Sequence, residues 1–185
     1  LVINFYNERR KQLLDVEPNA GHTGLAELEK DFNVTVVTQN VDNLHERAGS
    51  THVIHLHGEL TKVCSSRDPY NPRYVRELKP EEYEVKMGDK AGDGSQLRPF
   101  IVWFGEAVPE IETAIGYVEK ADIFVIIGTS MNVYPAAGLL NYVPRTAEVY
   151  LIDPKPVDTH SMRQIHVIQK GASEGVKELT AEILH

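Results

Sequence analysis

The residues with the most chemical capacity fall in two short stretches, Thr38-Gln-Asn-Val-Asp42 and His55-Leu-His-Gly58. Gln39 and Asn40 each offer donors and acceptors, whereas the Asp42 carboxylate only accepts. Such a set suits sugar hydroxyls and amides better than bare phosphate. His57 precedes a glycine that allows close backbone approach. An imidazole titrates near neutrality, so His57 is a candidate general base; a hydrogen-bonded structural histidine is the competing reading. On an extended strand His55 would share a face with His57, which would suit a metal pair, but no third ligand stands at a telling spacing. Further on, Gly128-Thr-Ser130 offers small residues, amides and hydroxyls of the kind that line nucleotide sites. Asp153 could accept bonds from ribose hydroxyls. Both also fit ordinary turns. Trp103, Phe104 and Gly105 could line a groove or belong to the core. Tyr6 and Arg9 stand one helical turn apart. The planar arginine fork matches a carboxylate in two places, so this pair could grip an acidic group. A solvated arginine beside a half-buried tyrosine is the alternative.

The elements around these residues must position them. Residues 34–37 form a β-branched apolar run, read as a buried strand, and residues 53–56 as a second. In open α/β sheets ligands bind beyond the carboxyl ends of the strands, where Gln39, Asn40 and Asp42 stand. Residues 1–14 read as a helix with Val2, Phe5, Leu13 and Leu14 on its apolar side, and residues 22–30 as another. Residues 61–97 change character: Pro69, Pro72, Pro80, Gly88, Gly92 and Gly94 mark a loop-rich insert, with 81–87 a candidate helix. Strands follow at 98–106, 122–128, 148–152 and 164–168, and helices at 111–120, 136–142 and 175–184. The continuous apolar run at 122–128 suggests burial on both faces, as in a parallel sheet. Strands alternating with helices predict a doubly wound α/β fold.

The 185 residues carry a formal net charge of -8, which argues against a nucleic-acid surface. A single cysteine, Cys64, excludes an internal disulfide and fits a reducing compartment. No apolar run is long enough to span a membrane. The chain opens inside a helix with no preceding strand, so the natural protein is expected to be longer.

Four motifs in order resemble those of the sirtuins, NAD-dependent protein-lysine deacylases. They are Thr38-Gln-Asn-Val-Asp-Asn-Leu-His-Glu-Arg-Ala-Gly49, His55-Leu-His-Gly-Glu59, Val102-Trp-Phe-Gly-Glu106 and Gly128-Thr-Ser130. The resemblance implies an α/β fold, a Rossmann-like doubly wound parallel sheet over residues 1–60 and 98–185, with a small module inserted at 61–97. The family's first strand and Gly-Ala-Gly phosphate loop have no counterpart here. NAD would be the cofactor. Gln39, Asn40, Val41 and Asp42 would hold its nicotinamide-ribose side, and Gly128, Thr129, Ser130, Asp153 and Ala172 its adenosine side. His57 would act as general base on a ribose hydroxyl. An acyl-lysine protein or peptide would pair with the backbone near Val102, Phe104 and Gly105, and near residues 131–133. Tyr6-Asn-Glu-Arg9 resembles the Tyr-x-x-Arg pattern of the bacterial class III sirtuins that remove acidic acyl groups. The expected reaction is therefore desuccinylation and demalonylation of lysine, with acetyl a further candidate, in the cytoplasm. A non-catalytic NAD- or acyl-lysine-binding module and an ADP-ribosyltransferase are the alternatives. With one cysteine the family's four-cysteine zinc site cannot form. No metal is expected, and the insert is expected to be held by Tyr70, Tyr74, Leu78, Tyr83 and its proline turns.

Overall fold

The structure, a computed structural model, describes residues 1–128, 136–157 and 163–185. In chain order the elements are α1 (Val2–Leu14), α2 (Ala20–Glu27), β1 (Val36–Thr38), α3 (Leu44–Arg47), β2 (Val53–His55), β3 (Gly58–Ser65), β4 (Arg76–Glu77) and β5 (Leu97–Ile101). They continue as α4 (Ile111–Val118), β6 (Ile123–Ile127), β7 (Glu148–Ile152), β8 (His166–Ile168) and α5 (Ala172–Ile183). Two compact units emerge. The first takes in Leu1–Glu17, Thr38–Leu44 and His55–Pro109; the second takes in Pro18–Val37, His45–Ile54 and Glu110–His185.

The second unit carries the Rossmann-like α/β architecture. Its strands run parallel in the order β6-β7-β8, with Ile127 opposite Ile152 and Ile152 opposite Ile168. The hydrophobic run of β7 explains its central place: Val149, Leu151 and Ile152 are at most 1% exposed. Burial of each such side chain stabilises by about 1.5–3 kcal/mol. β6 is covered less completely than its apolar run suggests, with Ile126 its one fully buried residue. Helix α5 packs Val176 and Leu179 against Tyr150, Ile152 and Ile168. Helix α2 lies close on α5, and a Cβ at Gly24 would stand 2.7 Å from Val176 Cγ1. Asn19 caps α2 through its Oδ1, which accepts the His22 N–H. The expected helix at 136–142 is a 3₁₀ segment, Ala136–Tyr142.

The first unit is built on an antiparallel sheet of order β4-β3-β5. It takes in residues 98–109 together with the expected insert. Strand β3 was not expected. A register shift between Glu59 and Val63 breaks its period-two pattern, because a bulge sends successive residues to the same face. The expected helix at 81–87 is only a 3₁₀ turn, Pro80–Glu82. The strand expected over 98–106 ends at Ile101.

The insert is held in two ways. Val63, Leu78, Val85, Ala91 and Leu97 form an apolar core. Beside it Ser65 and Ser95 both donate to the Asp93 carboxylate, and the Ser65 hydroxyl accepts the N–H groups of Arg67 and Asp68. The Ser65 and Ser95 bonds hold the Asp93 carboxyl down at about 2. Of the four side chains expected to hold the insert, Leu78 lies in this core. Tyr70 instead packs edge-on against Phe100, and Tyr74 lies against Gly92. Cys64 is buried, and burial pushes its thiol up to about 11.

Candidate active site

The Gln39–Asp42 segment leaves β1 and is pinned by its own main chain. The Thr38 hydroxyl accepts the Asn40 N–H at 3.0 Å, and Val41 O accepts the Leu60 N–H at 2.7 Å. Asp42 Oδ1 accepts the Leu44 N–H, an Asx turn that starts the next helix. The Gln39 amide nitrogen and the Asn43 amide oxygen are buried without a hydrogen-bond partner. A buried polar atom left unpaired costs about 1–3 kcal/mol, so each amide would gain from a ligand group, an acceptor at Gln39 and a donor at Asn43. Asn43 carried no separate signal in the sequence beyond its place in the motif.

The two histidines separate into different roles. His55 is buried at the end of β2, with Nδ1 3.1 Å from Asn40 O and Nε2 3.8 Å from Glu59 Oε1. It is a structural histidine that braces the Asn40 segment. His57 lies beyond the strand end, in the turn between β2 and β3, so the expected shared face for a metal pair does not arise. His57 is half-buried, and burial lowers its pKa below the ordinary 6.5. The imidazole is therefore neutral at pH 7 and able to take a proton. Its carbonyl accepts the Val102 N–H at 2.9 Å.

Val102 begins a tight turn rather than the tail of a strand. The Glu106 N–H donates to Trp103 O at 3.0 Å, and Gly105 has φ +86°. Phe104 is fully exposed. Burial alone would raise the Glu106 carboxyl, but bonds from Arg98 and from the Trp103 N–H outweigh it and hold the group below its ordinary value.

Helix α1 bears out the expected burial of Leu13 but not that of Val2, Phe5 and Leu14. Its buried residues are Asn7, Arg10 and Leu13, while Val2, Phe5 and Leu14 are exposed. Asn7 exchanges two hydrogen bonds with the Val85 main chain, at 2.8 and 2.9 Å. Arg10 donates to Leu60 O at 2.8 Å and to Tyr83 O at 3.2 Å, and burial pulls its guanidinium down to about 10. This anchoring sets the rotation of the helix. Tyr6 then packs, with Val41, on the cluster of Leu13, Leu44 and Leu60. Arg9 stays exposed, its guanidinium 5.9 Å from the Phe5 ring centroid.

In the second unit Gly128 and Asp153 end the adjacent parallel strands β6 and β7. Gly128 has φ +62°, and among the described residues nothing lies within 4 Å of where a Cβ would stand. Asp153 Oδ1 accepts the Lys155 N–H, the turn role weighed in the sequence. Ala172 opens α5, with Gly171 at its N-cap. The first unit thus gathers Tyr6, Arg9, Gln39, Asn40, Val41, Asp42, His57, Val102, Phe104 and Gly105, and the second holds Gly128, Asp153 and Ala172. Thr129, Ser130 and residues 131–133 lie outside the described residues.

A family model described as Sir2 matches residues 2–135. The chain belongs to the Sir2 family. Among curated Sir2 relatives, a protein of Bacteroides thetaiotaomicron named NAD-dependent protein deacylase is 86% identical over 97% of this chain and 76% of its own length. A solved Sir2 homologue–NAD complex has a TM-score of 0.81 at 34% identity, over 98% of this chain and 71% of that one. A second Sir2 structure, titled as a complex with a p53 peptide and NAD+, has a TM-score of 0.74 at 30% identity, over 92% and 72%. The anchors of α1, Asn7 and Arg10, and the Arg98 contacts at residues 101–106 were not read from sequence.

Proposed function

We propose that this Sir2-family chain is an NAD-dependent protein deacylase that acts on acyl-lysine in proteins and prefers acidic acyl groups, succinyl or malonyl, over acetyl. One observation carries the reading. A single compact unit holds a neutral His57, the Gln39–Asp42 segment with unpaired buried amides beside it, and the Val102–Gly105 turn, with His57 bonded through its main chain to Val102. NAD fits these donors. Bound, it supplies the activated ribose carbon to which the acyl oxygen is transferred. Gln39, Asn40, Val41 and Asp42 would bind its nicotinamide-ribose side; Gly128, Thr129, Ser130, Asp153 and Ala172 would bind its adenosine side. His57 holds the proton acceptor, Nδ1 or Nε2, that takes a proton from a ribose hydroxyl. Val102, Phe104 and Gly105 would orient the peptide.

Acyl preference rests on Tyr6 and Arg9. Arg9 is an exposed guanidinium on an anchored helix, and Tyr6 packs beside Val41. A succinyl carboxylate would meet a two-point partner there, whereas an acetyl group would not. We read the insert as held by its apolar core and the Ser65–Asp93–Ser95 bonds rather than by a zinc ion.

The test is turnover of matched succinyl-lysine and acetyl-lysine peptides with NAD by the full-length protein, followed by mass spectrometry. We expect succinyl to be preferred, and Arg9→Met to reduce that preference by about tenfold or more, the loss of a charge-assisted bidentate contact. An unchanged ratio would overturn the acyl assignment. NAD binding without turnover would favour a binding module, and nicotinamide release with label moving onto protein would favour ADP-ribosyl transfer.

A further inference from the structure

The turn set against the substrate in the proposed reading is held by a charge pair to which that reading gives no role. Arg98 is 8% exposed on β5. Its Nη2 donates to Ile101 O at 2.7 Å and to Glu106 Oε1 at 3.1 Å, and its Nη1 reaches Glu106 Oε2 at 3.4 Å. The guanidinium lies over the Trp103 indole, 3.8 Å from the ring centroid. Glu106 Oε1 also accepts the Trp103 N–H at 2.7 Å. One guanidinium therefore grips the start, the middle and the end of residues 101–106.

The Tyr70 hydroxyl also acts on the Glu106 carboxylate, but apolar packing does little to shape this turn. Phe104 is exposed and Trp103 is 37% exposed, so apolar burial does not fix their backbone. The Val102 N–H bond to His57 O ties the first residue of the turn to the main chain of the candidate base. A planar fork closed on one carboxylate and stacked on a ring leaves little freedom of orientation. The Arg98 end of the pair is buried, while Glu106 is half-buried, so salt screens the pair less than a fully exposed one.

We infer that Arg98 and Glu106 are positioning residues whose ion pair sets the shape of residues 102–105, and with it the register of the acyl-lysine backbone relative to His57. This deepens the deacylase reading and rests on it. Neither side chain need touch substrate.

The test uses the full-length protein with Glu106→Gln and Arg98→Lys. Glu106→Gln keeps an acceptor for the Trp103 N–H but loses the charge, and Arg98→Lys keeps the charge but loses the fork. KM for an acyl-lysine peptide at saturating NAD is expected to rise about ten- to a hundredfold, the scale of a misplaced reacting group. KM for NAD at saturating peptide, and the acid limb of the pH profile, are expected to stay at the wild-type values. A peptide KM that does not change, or constants for peptide and NAD that worsen together, would overturn the inference. So would loss of folding in both variants, because a pair needed for the whole fold is not a device confined to this turn. If the wild-type protein turns over no acyl-lysine peptide, the deacylase reading itself falls. If it does and the variants keep their peptide KM, only the inference falls.

Discussion

Gly58 separates His57 from the body of β3, and the structure allows no side chain there. Its φ is +91°, and a Cβ would stand 2.1 Å from Phe100 O and 2.8 Å from Ile101 Cα. Those atoms belong to the main chain of β5, which pairs with Gly58 at Ile101, so they cannot rotate aside. In Gly58→Ala the positive φ costs about 1–2 kcal/mol and the overlap about 1–3 kcal/mol more, together about 2–5 kcal/mol. Gly88 supplies the control. Its φ is +97° with nothing within 4 Å of a Cβ, so Gly88→Ala should cost only the first part, about 1–2 kcal/mol. Equilibrium urea denaturation of both variants measures the difference. Relief of the overlap must move β3 from β5 beside the bond between His57 O and the Val102 N–H, so Gly58→Ala should also lose turnover while Gly88→Ala keeps it. If the two variants prove equally stable, the packing argument at Gly58 is wrong.

Two further outcomes follow from titratable groups. Burial lowers the pKa of His57, so the neutral base persists below 6.5. The acid limb of kcat/KM should therefore fall at a lower pH than for an ordinary histidine, and His57→Ala should abolish that limb with most of the turnover. The hydroxyls of Ser65 and Ser95 hold Asp93 at about 2 against an ordinary 3.8. Stability from this knot is present above pH 3.8 and is lost as pH falls from there toward 2. Asp93→Asn should flatten stability across that window and lower the melting temperature at neutral pH. A chelator should leave the wild-type melting temperature unchanged.

The sequence disclosed the parts of the fold whose chemistry is local. β7 and β6 were legible because each is a short, nearly continuous apolar run, of the kind that a parallel sheet buries on both faces. The site turns were legible because their polar residues follow such runs directly. Helix α1 was legible in extent but not in orientation, because Asn7 and Arg10 are buried against main-chain partners about fifty to eighty residues away. No periodicity encodes such a bond. β3 was hidden by its bulge, and the end of β5 by Arg98, which draws Glu106 back into a turn. The Ser65–Asp93–Ser95 knot joins residues that are ordinary turn formers when read singly.

The attachment of α1 is made to main-chain atoms. Asn7 and Arg10 bond to Leu60 O, Tyr83 O and both polar groups of the Val85 peptide, never to a side chain of those residues. The hydrogen bonds of the helix that carries Tyr6 and Arg9 therefore read the path of the insert, while Ile3 packs on its apolar core. The half-buried Tyr83 can be exchanged for other residues that keep that path, provided the apolar core under Ile3 is kept. The same design makes the presentation of Arg9 sensitive to length. A residue added or removed between Tyr83 and Val85 would carry one carbonyl out of reach, where a substitution at Tyr83 or Glu84 would not.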